Sequence, residues 1–543
     1  ESITAGSEKI EFDKKLSTDT SGTLMLDDAR QNTSYIMVNS KRVTVYDLGT
    51  GNYYLTGDLV LDYPIAFSPS GSVNLCLNGH KITCKNSITD SLVYVYDKLE
   101  LNLADCSETK SGSITGGNGG GVYIYGTLNM YGGNIVKNTA VKNGGGVYNN
   151  KGTLNMYGGN IAENEAEMGG GVYSSGTFIL NGGKITGNKA SDYGGGVYNS
   201  FSKFEMTGGE ISNNVADILG GGLLLNVINS ENCVISGGLI KNNEAQKGAG
   251  IYMQSSNLEI TGGKISENKA LGDYGGGIHV TSDNLYLSGG EITDNAAKIG
   301  AGIYIGTDPK SNMYVSGAPK VYGNKNVDGD SNVVLSAGKV IQIESGKLLT
   351  DGAYLGVTKQ IAPTAENSVA ITNEVDSSYA KYFVADESDK YQVKWDEADQ
   401  KLYLIDGATP THTHNDITYS PCVSFPNPLS AGNYYLTSDI TLTDTITIEG
   451  DVNICLNGHK ITGPADKPAF KVPGGSTLNI YNDEGADFSG LSDSGGIEVA
   501  GGGTLNMIAK DSADNVTYAP AAGSQGGKVT VDDSGTVTVP DEG

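Results

Sequence analysis

Three carboxylates stand in comparable places along this chain, Asp192, Asp217 and Asp273, each a few residues ahead of a glycine cluster. Two carboxyl groups held about 5–10 Å apart are what glycoside hydrolysis requires, one as acid and one as base or nucleophile. The alternative reading is a solvated acidic loop, since Asp and Glu outnumber Lys and Arg by 62 to 36. Uronate elimination needs a different base, commonly arginine, and the only arginines are Arg30 and Arg42, ahead of the glycine clusters. Metal chemistry finds little support. His412 and His414 in "THTH" have no third ligand nearby in sequence and read as linker. "DGDSN" (328–332) has calcium-like oxygen spacing without the rest of an EF-hand and reads as a turn. "GGNGGGVYI" (116–124) has the glycines of a calcium-binding nonapeptide but Gly121 where that motif needs Asp. The expectation is no metal and no cofactor.

Binding chemistry is a stronger theme. Tyr123, Tyr148, Tyr173, Tyr198, Tyr252, His279 and Tyr304 recur at one position of a repeat, interrupted once by Leu224. Rings repeated at the strand spacing of about 4.8 Å either stack on one another and stabilise the array, or form a flat platform for a glycan or protein.

These residues are positioned by a repeat. The last glycine of each "GGG" or "GAG" falls at 121, 146, 171, 196, 222, 250, 277 and 302, so the period is 25 to 28 residues. Within each copy, alternating pairs such as Leu128/Met130 and Leu154/Met156 mark one buried face. Ile135, Ile161 and Ile185 and their successors mark a second, and Val122, Val147 and Val172 and theirs a third. Each piece is too short for a helix, and 78 glycines in 543 residues argue against helices throughout. Three short strands per period describe an all-β fold, a single-stranded parallel β-helix or solenoid. The asparagines at 138, 164, 188, 214, 243, 268, 295 and 324 then stack at one corner, where their amides satisfy bent backbone. A net charge of -26 disfavours nucleic acid, and no apolar run is long enough to insert in a membrane. The chain opens on Glu with no signal peptide and reads as a processed or trimmed piece of a larger protein.

The "GGGVY…GGxIxxNxA" unit resembles the right-handed β-helix repeats of bacterial surface proteins and is similar to the repeats of polymorphic membrane protein adhesins. "GNYYLT" and "CLNGHKIT" look like stretches of cell-surface proteins from Gram-positive anaerobes. The resemblance implies a secreted or wall-displayed right-handed β-helix acting as an adhesin toward a glycan or host surface protein. A polysaccharide-active enzyme on the same scaffold is the alternative.

The head sequence occurs twice. "GNYYLTGDLVL…SVNLCLNGHKIT" (51–83) returns at 432–462, with His80 matched by His459 and Cys76 by Cys455. The organisation read from this is an N-terminal segment of unclear fold (1–48), a parallel β-helix (49–335), a β cap (336–406), a linker (407–430) and a second, short or truncated β-helix-like module (431–543). Cys84 and Cys106 are both absent from the second copy, which suggests that they bond to each other about one coil apart; free thiols are the other possibility, and Cys233 occupies an inward position.

Overall fold

The computed structural model describes the chain apart from residues 1, 6–7, 20–22, 39–40, 68–69, 86–87, 228–232, 345, 365–366, 407–411, 415–416, 423, 437–438, 465, 483–495, 510–527 and 533–543. It divides into two compact units, Glu1–Gly407 and Ala408–Gly543. The architecture is nearly all-β, a parallel solenoid of about 16 turns.

In the first unit the sequence period becomes rungs stacked in register. Leu128 lies over Leu154, then Phe178 and Phe204, on one face. Ile135, Ile161, Ile185 and Ile211 align on the second, and Val122, Val147, Val172 and Val197 on the third. These side chains are essentially inaccessible and form one continuous core. The turns from Glu165–Met168 to Lys269–Ala270 carry a fourth short strand that the expected three-strand repeat lacks. It follows the corner asparagine, where Ala190, Ala216, Ala245 and Ala270 pack into a small cluster of their own.

The corner is held by a buried amide ladder. Asn138 Nδ2 donates to Asn164 Oδ1 at 3.0 Å, and the pattern passes through Asn188, Asn214, Asn243, Asn268 and Asn295 to Asn324. From Asn164 onward each Oδ1 also accepts the backbone N–H of the asparagine one turn earlier, as Asn188 does from Asn164 at 3.0 Å, while Asn138 Oδ1 accepts from Gly117 N–H at 2.9 Å. Every amide is thus satisfied where no water reaches. The glycine corner interlocks with it: a Cβ on Gly146 would lie 2.6 Å from Gly171 O and 2.8 Å from Asn164 Nδ2. Any side chain there pushes two coils apart. "DGDSN" extends the ladder, because Asn324 donates to Asn332, whose amide donates to Asp386 at 2.7 Å.

Both ends of this unit are closed by antiparallel pairing. Residues 1–48, left without a fold by the sequence, supply the hairpin Thr33–Val38/Lys41–Leu48, whose second strand runs parallel to Ile65–Phe67. At the other end the coil continues further than expected: Tyr354–Lys359, inside the segment read as a cap, still pairs in parallel with the turns before and after it. The antiparallel strands Val369–Glu374, Lys401–Asp406 and Tyr391–Asp396 then end the stacking.

The second unit repeats the opening of the first. Leu429–Leu436, Ile446–Cys455, Thr477–Asn482, Thr504–Ala509 and Lys528–Asp532 stack in parallel over their own core. The stretch 407–430 holds strands rather than an unstructured linker: His412–His414 pairs antiparallel with Ile417–Cys422, which runs parallel to Leu429–Leu436. Residues 483–495 and 510–527, where the repeat loses its rhythm, lie outside the described residues.

Candidate binding surface

The ring stripe forms as its spacing requires. Tyr123–Tyr148, Tyr148–Tyr173 and Tyr173–Tyr198 have centroids 5.1, 5.3 and 5.1 Å apart, and Tyr252–His279 and His279–Tyr304 are 5.0 and 5.1 Å apart. Tyr123, Tyr198, His279 and Tyr304 are nonetheless buried, and Tyr148, Tyr173 and Tyr252 half-buried. The fourth side of the coil contributes: Tyr193 approaches Tyr198, and Tyr274 stacks on Tyr304 at 4.3 Å. The stripe stacks on itself and offers little open face. Within it His279 is held far below its ordinary pKa, at about 3, by burial first and by Lys247 second.

The three acids stand on separate turns. Asp192 and Asp217 lie on adjacent turns but one residue out of register, since Ala190 aligns with Ala216. Asp273 is two turns further along and ion-paired with Lys298 at 3.2 Å. His80 and His459 occupy the same turn in both units: Nδ1 lies 3.5 Å from Asp58 and 3.5 Å from Asp439, while each Asp accepts the next backbone N–H at 3.0 Å. This arrangement holds a turn.

The cysteine expectation is corrected. Cys106 is bonded to Cys76, with Cα atoms 5.9 Å apart, and Cys84 is free. Cys76 is the register partner of Ala104, so Cys106 arrives at the neighbouring turn beside it. Cys84 ends a strand of a different face and donates to Gly116 O at 3.4 Å. Joint absence from the second copy carried no information about strand faces.

One concavity on the first unit involves residues that the repeat does not single out. The corner Tyr125–Gly126 is two residues long, whereas the turns on either side insert four residues, 96–99, and three, 150–152, at the same place. A groove of about 580 Å³ lies at this corner, lined among others by Lys98, Lys151, Gly126, Thr127 and Thr153. Gly126 is obligatory, because a Cβ there would lie 2.2 Å from Tyr96 O. The Tyr125 ring is 41% exposed and lies 6.4 Å from Tyr96. Asp97 and Glu100 complete the rim, so both signs of charge are present. Lys98 and Lys151 adopt left-handed backbone, φ 61° and 65°, a conformation that costs a non-glycine residue about 1 kcal/mol or more.

The second unit provides an internal control. Asn74 and Asn102 in the first unit correspond to Asn453 and Asn479 in the second. The corner of Tyr96–Leu99 is there built from Pro473, Gly474, Gly475 and Ser476, with Gly475 at φ 83° where Lys98 stands. The scaffold makes this corner from glycine without strain, so Tyr96 and Lys98 in the first unit are not required by the fold. No signal for the groove exists in the repeat itself, because its lining comes from corner residues that vary between copies. No protein-family model, curated protein or solved structure matches the chain.

Proposed function

We propose that this chain is a secreted or cell-surface display scaffold of the adhesin type, and that its first unit binds glycans in the corner groove around Tyr125. The observation that carries this reading is a groove lined by the exposed Tyr125 and by left-handed Lys98 and Lys151, with Lys98 standing where the second unit places Gly475. An exposed aromatic ring suits the apolar face of a sugar, and threonine hydroxyls with charged groups of both signs suit its hydroxyls. The cross-link between Cys76 and Cys106 agrees with an oxidising compartment. The ring stripe named from sequence supports stability in this reading, and Asp273 is engaged in an ion pair with Lys298.

The test is a glycan array with the whole chain, followed by calorimetry on the strongest ligand. Tyr125→Ser abolishes the signal while leaving the melting temperature unchanged, and Tyr148→Ser at the half-buried stripe lowers the melting temperature without removing binding from the protein that remains folded. Binding retained by Tyr125→Ser refutes the groove.

A further inference from the structure

The groove stops at Thr127 and Thr153, but the strands beginning there continue to a second aromatic feature. Tyr131 and Tyr157 follow immediately after Thr127–Met130 and Thr153–Met156, and their rings stack nearly parallel, 5.0 Å apart and 9° from coplanar. Tyr157 is 47% exposed. Tyr131 stands six positions after Tyr125 in the chain, a contour of up to about 20 Å at the strand rise. The outward side chains between them are uncharged, Thr127 and Asn129 on one turn and Thr153 and Asn155 on the next.

The asparagines are the support of this surface. Asn74 donates to Asn52 at 2.7 Å, Asn102 to Asn74 at 2.9 Å, Asn129 to Asn102 at 2.8 Å and Asn155 to Asn129 at 2.8 Å. Asn102 and Asn129 are buried, so this outer amide ladder fixes the floor while the threonines and the tyrosine pair remain partly accessible. Glu100 joins the same network, accepting from Asn129 Nδ2 at 2.6 Å, so one carboxylate borders the panel.

We infer that the groove and the Tyr131/Tyr157 panel form one continuous site for an extended, neutral polysaccharide segment, lying along the strand direction with sugar rings against Tyr125 at one end and the stacked tyrosines at the other. This rests on the glycan reading of the groove. A single terminal sugar would fill the groove without reaching the second panel. Polyanionic glycans are disfavoured by the net charge of -26, and a rim with Lys98, Lys151, Asp97 and Glu100 presents no net attraction for them.

The experiment is calorimetric titration of the whole chain with length series, monosaccharide to hexasaccharide, of neutral glucans, mannans, xylans, galactans and chitin-type chains, alongside uronate and sulfated series. At least one neutral series gains tenfold or more in affinity between disaccharide and hexasaccharide. The double variant Tyr131→Ser/Tyr157→Ser keeps disaccharide affinity and loses that gain, whereas Tyr125→Ser loses binding at every length. Affinity that does not rise with length, or a gain that survives the double variant, overturns the extended site and leaves the groove reading standing. Absence of binding to every series overturns both, and tighter binding of the acidic series overturns the neutral assignment. Melting curves of both variants establish that each is folded when titrated.

Discussion

His279 makes a quantitative test of the buried ring stripe. It is 5% exposed and its Nδ1 has no hydrogen-bond partner, so protonation would place an unsolvated cation beside Lys247. Its folded pKa is depressed from 6.5 to about 3. The sign follows from linkage: above pH 6.5 the ring is neutral in both states and its contribution is intact, and as pH falls the unfolded chain gains a proton that the folded one refuses. Between pH 6.5 and pH 5 the penalty grows by about 1.4 kcal/mol per pH unit, to about 2 kcal/mol. His279→Tyr installs the residue that the stripe uses on neighbouring turns and removes the titration. The assay is native-state hydrogen exchange on peptides covering residues 270–305, because a solenoid opens locally rather than as one unit. At pH 7 the two proteins protect this segment within about 1 kcal/mol of each other; at pH 5, after correction for intrinsic exchange, the variant is the more stable by about 2 kcal/mol beyond that difference. A difference that is the same at both pH values refutes the argument, as does an NMR titration showing a protonated His279 ring in the folded protein at pH 5.

Asp386, which terminates the buried amide ladder, has its pKa raised to about 7 by burial, so its contribution is intact below 3.8 and is lost as pH rises toward 7; Asp386→Asn flattens thermal stability against pH across that window, as scanning calorimetry reads. Asn214→Leu leaves the amides of neighbouring turns unpaired and costs about 2–4 kcal/mol, seen as lost exchange protection confined to turns around residues 188–243. Cys106→Ser releases a link of sequence separation 30 and costs about 3 kcal/mol, and non-reducing peptide maps of the parent show Cys76 joined to Cys106 with Cys84 alkylated. Gly146→Ala forces apart the contacts with Gly171 O and Asn164 and lowers the melting temperature by several degrees, more than Gly187→Ala, where the nearest atom to an added Cβ is 3.7 Å away and only the left-handed backbone opposes it.

The coil was legible because its determinants are local and repeated. An inward aliphatic every second residue, a corner glycine and a corner asparagine each recur within 25 to 28 residues, and a parallel stack places every copy on its own neighbour. The ladder from Asn138 to Asn324 could therefore be named from spacing alone, while its continuation through Asn332 to Asp386 could not, since Asp386 arrives from 54 residues away. The ring stripe was equally legible as a column, but its burial was not: whether an outward Tyr meets solvent depends on the fourth strand and on Tyr193 and Tyr274. The groove was illegible for the opposite reason. It is lined by corner residues of three successive turns, Lys98, Tyr125 and Lys151, whose types vary from copy to copy, and a motif read by its regularity is silent about them.

Sequence by itself determined the periodic quantities: strand type, inward faces, register and the stacked corner, because in a parallel coil the nearest neighbour in space is always one period away in the chain. Tertiary structure alone decided what depends on two non-equivalent segments meeting. It paired Cys106 with Cys76 instead of Cys84, covered the ring stripe and opened the groove beside Tyr125. Each of these is set by side-chain direction and loop length at a particular corner, quantities that a repeat period does not encode.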